Sequence, residues 1–513
     1  MDSPSPESVL FVVMDTVRKD RLSPYGYTRP TTPHLADFAR DATVFEEAVA
    51  PAPWTLPVHA SLFSGLYPSE HGADQETPYL HDVQTLAETL SAAGYDSACY
   101  SSNAWITPYT HLTDGFDAQD NFFEVMPSEF LAGPLATAWR ILNDNEWLRT
   151  VADKLVSLGN TAHEYFAGGN SADSKTPAVI NKAQSYIRGR TQHFTFLNLM
   201  DAHLPYHPPQ SIREEFAPDV DSAAVCQNSK AYNSGAREID TDEWMDIRNL
   251  YDAEIAHIDS ELGRLFSWLK SEGRWDETMV IVCADHGELH GEHDLYGHEF
   301  GLYDQLINVP LMIKHPDLSA SHRTDQVELL DLYHTILDAL TVPADAFEAT
   351  AKRTRRFDPT RSLLRDEYRA FESVTNPDPG QRGPAGRGYI EYSQPVVELN
   401  QLEEKAHAAD ITLDQRSRFY SRMRAVRTPE GKYVRIDRIP DEAYRLDTDP
   451  TEITNRAQME DPVLETLEAD LATFEEAVGG AWTHGVDMDA SDDGVSEMDA
   501  EAQERLRDLG YLE

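Results

Sequence analysis

Three short apolar runs, each closed by an aspartate, constrain the fold more than any other feature of the chain. Val9 to Met14 (VLFVVM) ends at Asp15, His193 to Met200 (HFTFLNLM) at Asp201, and Thr278 to Ala284 (TMVIVCA) at Asp285. A strand with one wet face alternates polar and apolar residues. Runs that are apolar at almost every position suit the interior of a parallel sheet buried on both faces. Helical patterns lie between them. Thr85 to Ala93 carries Leu86 and Leu90 on one face and is followed by Gly94 as a stop. Asp246 to Lys270 repeats Ile247, Leu250, Tyr251, Ile255, Ile258, Leu262, Leu265 and Leu269 at helical spacing. Strands alternating with helices predict an α/β fold: a large, mostly parallel sheet sandwiched by helices over residues 1–345. Residues 118–190 read as a helical insertion closed by a loose segment, Gly168 to Ser174. Residues 346–380, rich in Arg and Pro, read as a linker or surface loop to a second unit, 381–513, with an acidic tail from Val486 to Ala500.

The charge is unusual. Asp and Glu number 89 against 43 Lys and Arg, of which ten are Lys, for a formal net charge of −46. Phosphate contacts need a basic footprint, so nucleic acid is excluded as a partner. The acid is spread along the whole chain, as in proteins that stay soluble where concentrated salt mutes self-repulsion. We read it as adaptation to a salt-rich cytoplasm; a calcium-binding surface or a surface for an acidic partner is the alternative. Cys99, Cys226 and Cys283 share no metal or disulfide spacing. The N-terminus lacks a basic, then apolar, leader, and no apolar run approaches the ~18 residues of a membrane span. A cytoplasmic location is expected. The oligomeric state is left open.

The chemistry concentrates where the strands end. In open α/β sheets, ligands bind at the carboxyl edge. Asp285-His286 offers a carboxylate and an imidazole together, and a distant Asp15 could complete a divalent-metal site. The bland alternative is a capped strand end with a buried histidine. In Ala50 to Gly65, Pro57 is placed for the first turn of a helix and Thr55 at or just before its N-cap. Free N–H groups there favour an anion, and a metal-bound threonine hydroxyl facing that anion can act as a nucleophile. Here the alternative is a simple helix cap.

These pieces stand in a recognisable order. Asp15-Thr16-Val17-Arg18 is followed by Thr55-Leu56-Pro57-Val58-His59, then Ala60 to Pro68 and His71-Gly72. His203-Leu204-Pro205-Tyr206 comes next, then Asp285-His286-Gly287-Glu288 through Gly291-Glu292-His293. Asn308-Val309-Pro310-Leu311, Asp331 to Leu337, Tyr444 to Glu452 with Asn455, and a final Leu509-Gly510-Tyr511-Leu512 complete the series. Over nearly its whole length the chain resembles the sulfatase family of the alkaline-phosphatase superfamily. The resemblance implies that family's fold, with a smaller C-terminal α+β subdomain. We expect its antiparallel sheet around Arg424 to Leu446 and a packed helix near Pro462 to Phe474.

Several positions depart from the family pattern. Sulfatases carry a Cys or Ser that is oxidised to formylglycine; this chain has Thr55, so no formylglycine is expected. His59 stands for the Arg that ends the signature, and Ser101-Ser102-Asn103-Ala104-Trp105 for a Gly-Lys-Trp-His stretch. His298 stands for a Lys, and Thr16 for the second Asp of the first-strand motif. The resemblance therefore implies one divalent ion (Ca, Mg, Mn or Zn) on Asp15, Thr55, Asp285 and His286. Thr55, His203 and His298 are the expected catalytic residues, and His59 and Asn103 the expected substrate-binding ones. This set is similar to the phosphonate-hydrolase and phosphoglycerol-transferase branches, where Thr can be the nucleophile. Asp201, His207, His290 and His293 are the alternative source of a second metal site.

The expected function is metal-dependent hydrolysis of sulfate or phosphate esters on a small molecule, glycan or lipid headgroup. The alternatives are a phosphoglycerol- or phosphoethanolamine-type transferase, a phosphodiesterase, or a non-catalytic anion-binding family member.

Overall fold

Ser8–Met14 forms strand β1, and each of its seven residues is buried. Each large aliphatic or aromatic side chain so buried contributes roughly 1.5–3 kcal/mol, which is why an all-apolar strand seeks the middle of a sheet. The structure, a computed structural model, describes residues 7–122, 174–365, 386–393 and 395–480. The expected acidic tail, the last motif, and parts of the expected insertion and linker lie outside the described residues.

Around β1 the chain places β2 (Thr43–Val49), β3 (Asp96–Ser101), β4 (Ala118–Asn121), β5 (His193–Leu199) and β6 (Thr278–Cys283). A two-stranded ribbon follows, β7 (Leu289–His290) with β8 (Tyr296–Gly297), and then β9 (Asn308–Lys314) and β10 (Ser321–Glu328). The large sheet has eight strands in the order β10-β2-β9-β6-β1-β5-β3-β4. Its pairings are parallel except those of β9, which runs antiparallel to β2 and β6. The register sets Val13 beside Cys283 and Met14 beside Leu199, so β1, β6 and β5 end at one edge. The segment expected as an insertion contributes to this layer: Ala118–Asn121 is the edge strand, and helix Thr176–Ile187 packs on β3 and β5.

The long helix begins earlier than its apolar pattern, at Thr241, where the Asp240 side chain accepts from the Glu243 N–H, and it runs to Ser271. Helix Leu86–Ala92 is capped by Thr85 and Glu88, reciprocally. A separate antiparallel sheet joins β11 (Gly388–Tyr392), β12 (Met423–Arg427), β13 (Lys432–Ile436) and β14 (Glu442–Tyr444), and helix Pro462–Ala477 packs on β12 and β13. The expectation for this unit missed β11. Charged pairs tie it to the larger domain: Arg427 pairs with Glu47 of β2 at 2.6 Å and with Asp304, just before β9, at 2.7 Å, and Lys432 pairs with Asp304 at 3.1 Å.

Candidate active site

Asp15 and Asp285 follow the neighbouring strands β1 and β6, so parallel pairing alone brings them together. Asp285, His286 and Asp15 are fully buried. One ligand atom from each lies within 4.8 Å of the other two. Hydrogen bonds leave their outward faces free. Asp15 Oδ2 accepts from Asn103 Nδ2 at 2.9 Å and Asn198 Nδ2 at 3.1 Å, while Asp15 Oδ1 has no hydrogen-bond partner. Asp285 Oδ1 accepts from the N–H groups of Thr16 at 3.2 Å and His286 at 2.9 Å, while Oδ2 has none. His286 Nδ1 lies 3.0 Å from the Gly287 carbonyl; donation there leaves the Nε2 lone pair for the cluster. Burial, then the charge of Asp15, pushes the Asp285 carboxyl well above its usual range. Burial, then His298, holds the His286 imidazole well below its own. Two buried carboxylate oxygens without donors beside a neutral imidazole are a donor set a divalent cation fits.

Thr55 opens helix Thr55–Ser64, with Trp54 in the N-cap position. The threonine is thus one residue further into the helix than the sequence suggests, and it does not serve as the cap. Its Oγ1 lies 3.4 Å from His286 Nε2 and 3.4 Å from Asn103 Nδ2. The helix N-terminus therefore points its free N–H groups at the cluster, where they favour an anion. Gly287 explains the Asp-His-Gly order: a Cβ there would sit 1.9 Å from the Gln305 carbonyl oxygen. The backbone after β6 can pass that carbonyl only without a side chain.

The four catalytic and substrate-binding histidine and asparagine expectations divide. Asn103 reaches the cluster directly, bridging Asp15 and Thr55. His59 is fully buried one helical turn behind Thr55. Its Nδ1 is 2.9 Å from the Thr55 carbonyl and 3.7 Å from Asp285 Oδ2, and burial lowers its pKa. His298 lies tilted against His286 with ring centroids 4.6 Å apart, and the His203 ring lies 5.2 Å from that of His298. Burial pushes the His298 pKa down, but Glu299 and Glu288 carry it to about 9. Its Nδ1 is 3.4 Å from Glu288 and its Nε2 4.0 Å from Glu299, which is itself paired with Lys230. A cationic imidazole thus stands beside the cluster where the family pattern has Lys. His203 Nδ1 lies 2.6 Å from the Leu204 carbonyl.

The four residues of the alternative second metal site do not converge. Asp201 bonds Ser174 and Thr176, His207 meets Ser222, His290 meets the Tyr206 hydroxyl, and His293 stacks on Tyr303. Among the described residues, Asp15, Asp285 and His286 form the one metal-competent group of three such side chains. Sequence reasoning passed over Asn198, Glu288 and Glu299. Asn198 had a signal: an amide inside an otherwise apolar run, one turn of strand from the carboxyl edge.

Known proteins resemble this chain in sequence and in fold. A family model described as Sulfatase matches residues 7–342. The multifunctional alkaline phosphatase superfamily protein PehA of Trinickia caryophylli is 28% identical over 388 residues, covering 65% of this chain and 74% of its own. A choline-sulfatase of Rhizobium meliloti is 22% identical over 508 residues, covering 93% of this chain and 87% of its own. In fold, the chain is similar to the crystal structure of a phosphonate monoester hydrolase of Agrobacterium radiobacter. The TM-score is 0.64 at 20% identity, over 92% of this chain and 96% of that one.

Proposed function

The chain belongs to the sulfatase family, and from that premise we propose that it is a metal-dependent ester hydrolase whose nucleophile is Thr55. The observation that carries the reading is the convergence of Asp15 Oδ1, Asp285 Oδ2 and His286 Nε2, with free lone pairs, beside the Thr55 hydroxyl. Asp15, Asp285, His286 and Thr55 would hold one divalent ion. The chemistry such an ion supplies when bound is a lowered hydroxyl pKa at Thr55 and neutralised charge on the transferred group. Thr55 Oγ1 gives up its proton to solvent water and bonds to the central atom. The ester oxygen leaves with the bonding pair on the opposite side, protonated by His298 or His203. The cationic His298, the Asn103 amide and the helix N-terminus bind non-bridging oxygens. Water, or an acceptor alcohol in a transferase, then releases the group.

Phosphate-type esters suit this residue set best. A phosphothreonine has no hemiacetal to collapse by elimination, as formylglycine has, so release must come by direct attack at the central atom. The relative named as a phosphonate monoester hydrolase supports the same direction; the relative named as a choline-sulfatase supports sulfate esters as the second reading. We also hold to a salt-rich cytoplasm as the working environment, on the charge of −46. Among the described residues, no helix is long and apolar enough to cross a membrane.

A panel of p-nitrophenyl sulfate, phosphate, bis-phosphate and phosphonate esters, in high salt with Ca, Mg, Mn or Zn, tests the reading. Thr55→Ala should abolish turnover with the fold intact, Thr55→Ser should keep part of it, and mass spectrometry after a substrate pulse should find added mass on the Thr55 peptide. Wild-type turnover by Thr55→Ala would remove Thr55 as the nucleophile.

A further inference from the structure

Thr16 sits between the metal-site aspartate and the rest of the turn in a left-handed conformation, with φ at +58°. A β-branched residue rarely adopts that backbone, and it persists only where its surroundings over-determine it. The turn serves the site, because it aims the Thr16 N–H at Asp285 Oδ1, 3.2 Å away. Tyr251 supplies the surroundings. It is fully buried on the long helix. Its hydroxyl donates to the Thr16 carbonyl at 2.6 Å and accepts from the Arg18 N–H at 2.8 Å. One O–H group therefore grips both limbs of the strained turn. Its ring is fixed in turn by His290 and Tyr206, at centroid distances of 4.7 and 5.4 Å.

We propose that Tyr251 is a positioning residue for the metal site: its hydroxyl holds Thr16 left-handed, so that Asp285 keeps Oδ1 on the backbone and presents Oδ2 to the cation. The inference rests on the metal reading above. Tyr251 touches none of the expected ligands. Without the hydroxyl, Thr16 relaxes toward ordinary backbone angles. Its N–H then swings off Asp285, and the carboxylate keeps only the His286 N–H to orient it.

The test is Mn2+ titration of the full-length protein by calorimetry, comparing wild type, Tyr251→Phe, Thr16→Gly and the double variant. Tyr251→Phe should bind Mn2+ about tenfold more weakly, the scale of releasing one strained residue. Glycine accepts positive φ without strain, so adding Thr16→Gly should restore affinity to the level of Thr16→Gly alone. Leu262→Ala, a core change elsewhere on the same helix, should lower the melting temperature and leave affinity unchanged. A merely structural role for Tyr251 would not produce the glycine rescue. Wild-type affinity in Tyr251→Phe overturns the proposal. If that variant does not fold, a gap of tenfold or more between Thr16→Gly and the double variant overturns it as well. Absence of Mn2+ binding in the wild type overturns the metal reading, and this proposal with it.

Discussion

Asp285→Asn should raise the melting temperature in EDTA and lower it relative to wild type when metal is present. The substitution is isosteric, and the asparagine oxygen still accepts from the Thr16 and His286 N–H groups. What it removes is one of two buried negative charges whose ligand atoms lie within 4.8 Å. At an effective dielectric near 20, that separation corresponds to a repulsion of about 3.5 kcal/mol. Asp285 escapes part of it by taking up a proton, as its raised pKa indicates. The gain in EDTA should therefore be about 1–3 kcal/mol, or roughly 1–4 °C in a protein of this size. With Mn2+ at about 1,000 times its Kd, wild type gains about 4.1 kcal/mol by mass action, and a variant without the site gains nothing. Differential scanning fluorimetry in molar KCl, with EDTA or with Mn2+, should show the two proteins exchange rank. If Asp285→Asn melts below wild type in both conditions, the carboxylate is a structural hydrogen-bonding group and the electrostatic account of the cluster fails.

Further outcomes can be checked on the same material. Lowering KCl from molar to millimolar should lower the melting temperature, because unscreened acid repels acid; an unchanged midpoint would refute the halophile reading. Burial, then Arg274 and Arg190, lowers the His193 pKa to about 3, and burial does the same at His71. Both lie below the unfolded value of about 6.5, so their contribution is full above that pH and is lost as pH falls toward 3. His193→Gln should make the acid limb of a melting-temperature profile shallower, by up to about 1.4 kcal/mol per pH unit; identical slopes would contradict this. Gly287→Ala must displace the Asp285 to Gly287 backbone from the Gln305 carbonyl, so Mn2+ affinity should fall by at least about tenfold. Retained affinity in calorimetry would show that the turn adapts.

The sheet was legible because its central strands cannot be anything else. VLFVVM and TMVIVC leave no polar face to expose, and their terminal aspartates follow from parallel pairing. The C-terminal sheet was legible only in part. Gly388–Tyr392 lies beyond the expected span of strands, and its partner in register, Met423–Arg427, is far along the chain. At the site, residues whose chemistry is their own, such as Asp15, His286 and Thr55, could be named from sequence. Residues whose role depends on a neighbour could not. Glu288 and Glu299 matter because they flank His298. Tyr251 reads as one more apolar position on a helical stripe until its hydroxyl is seen on the Thr16 turn. His59 reads as a substrate contact, and the structure adds what the motif does not state: it is fully buried one turn behind Thr55, with Nδ1 2.9 Å from the Thr55 carbonyl.

Strand β1 finds its neighbours late. It pairs with β5 and β6, and the Thr16 to Asp285 bond spans 269 residues of sequence. At elongation rates of about 5–20 residues per second, roughly 15–50 s separate synthesis of the first aspartate from that of the second. Until β5 is made, Ser8–Met14 is an apolar strand with both edges unsatisfied, and its second edge stays open until β6 follows; such a segment seeks pairing with other chains. The proposed metal centre is incomplete on a ribosome-bound fragment that ends before residue 285, and one edge of an apolar strand must be shielded for as long as that takes.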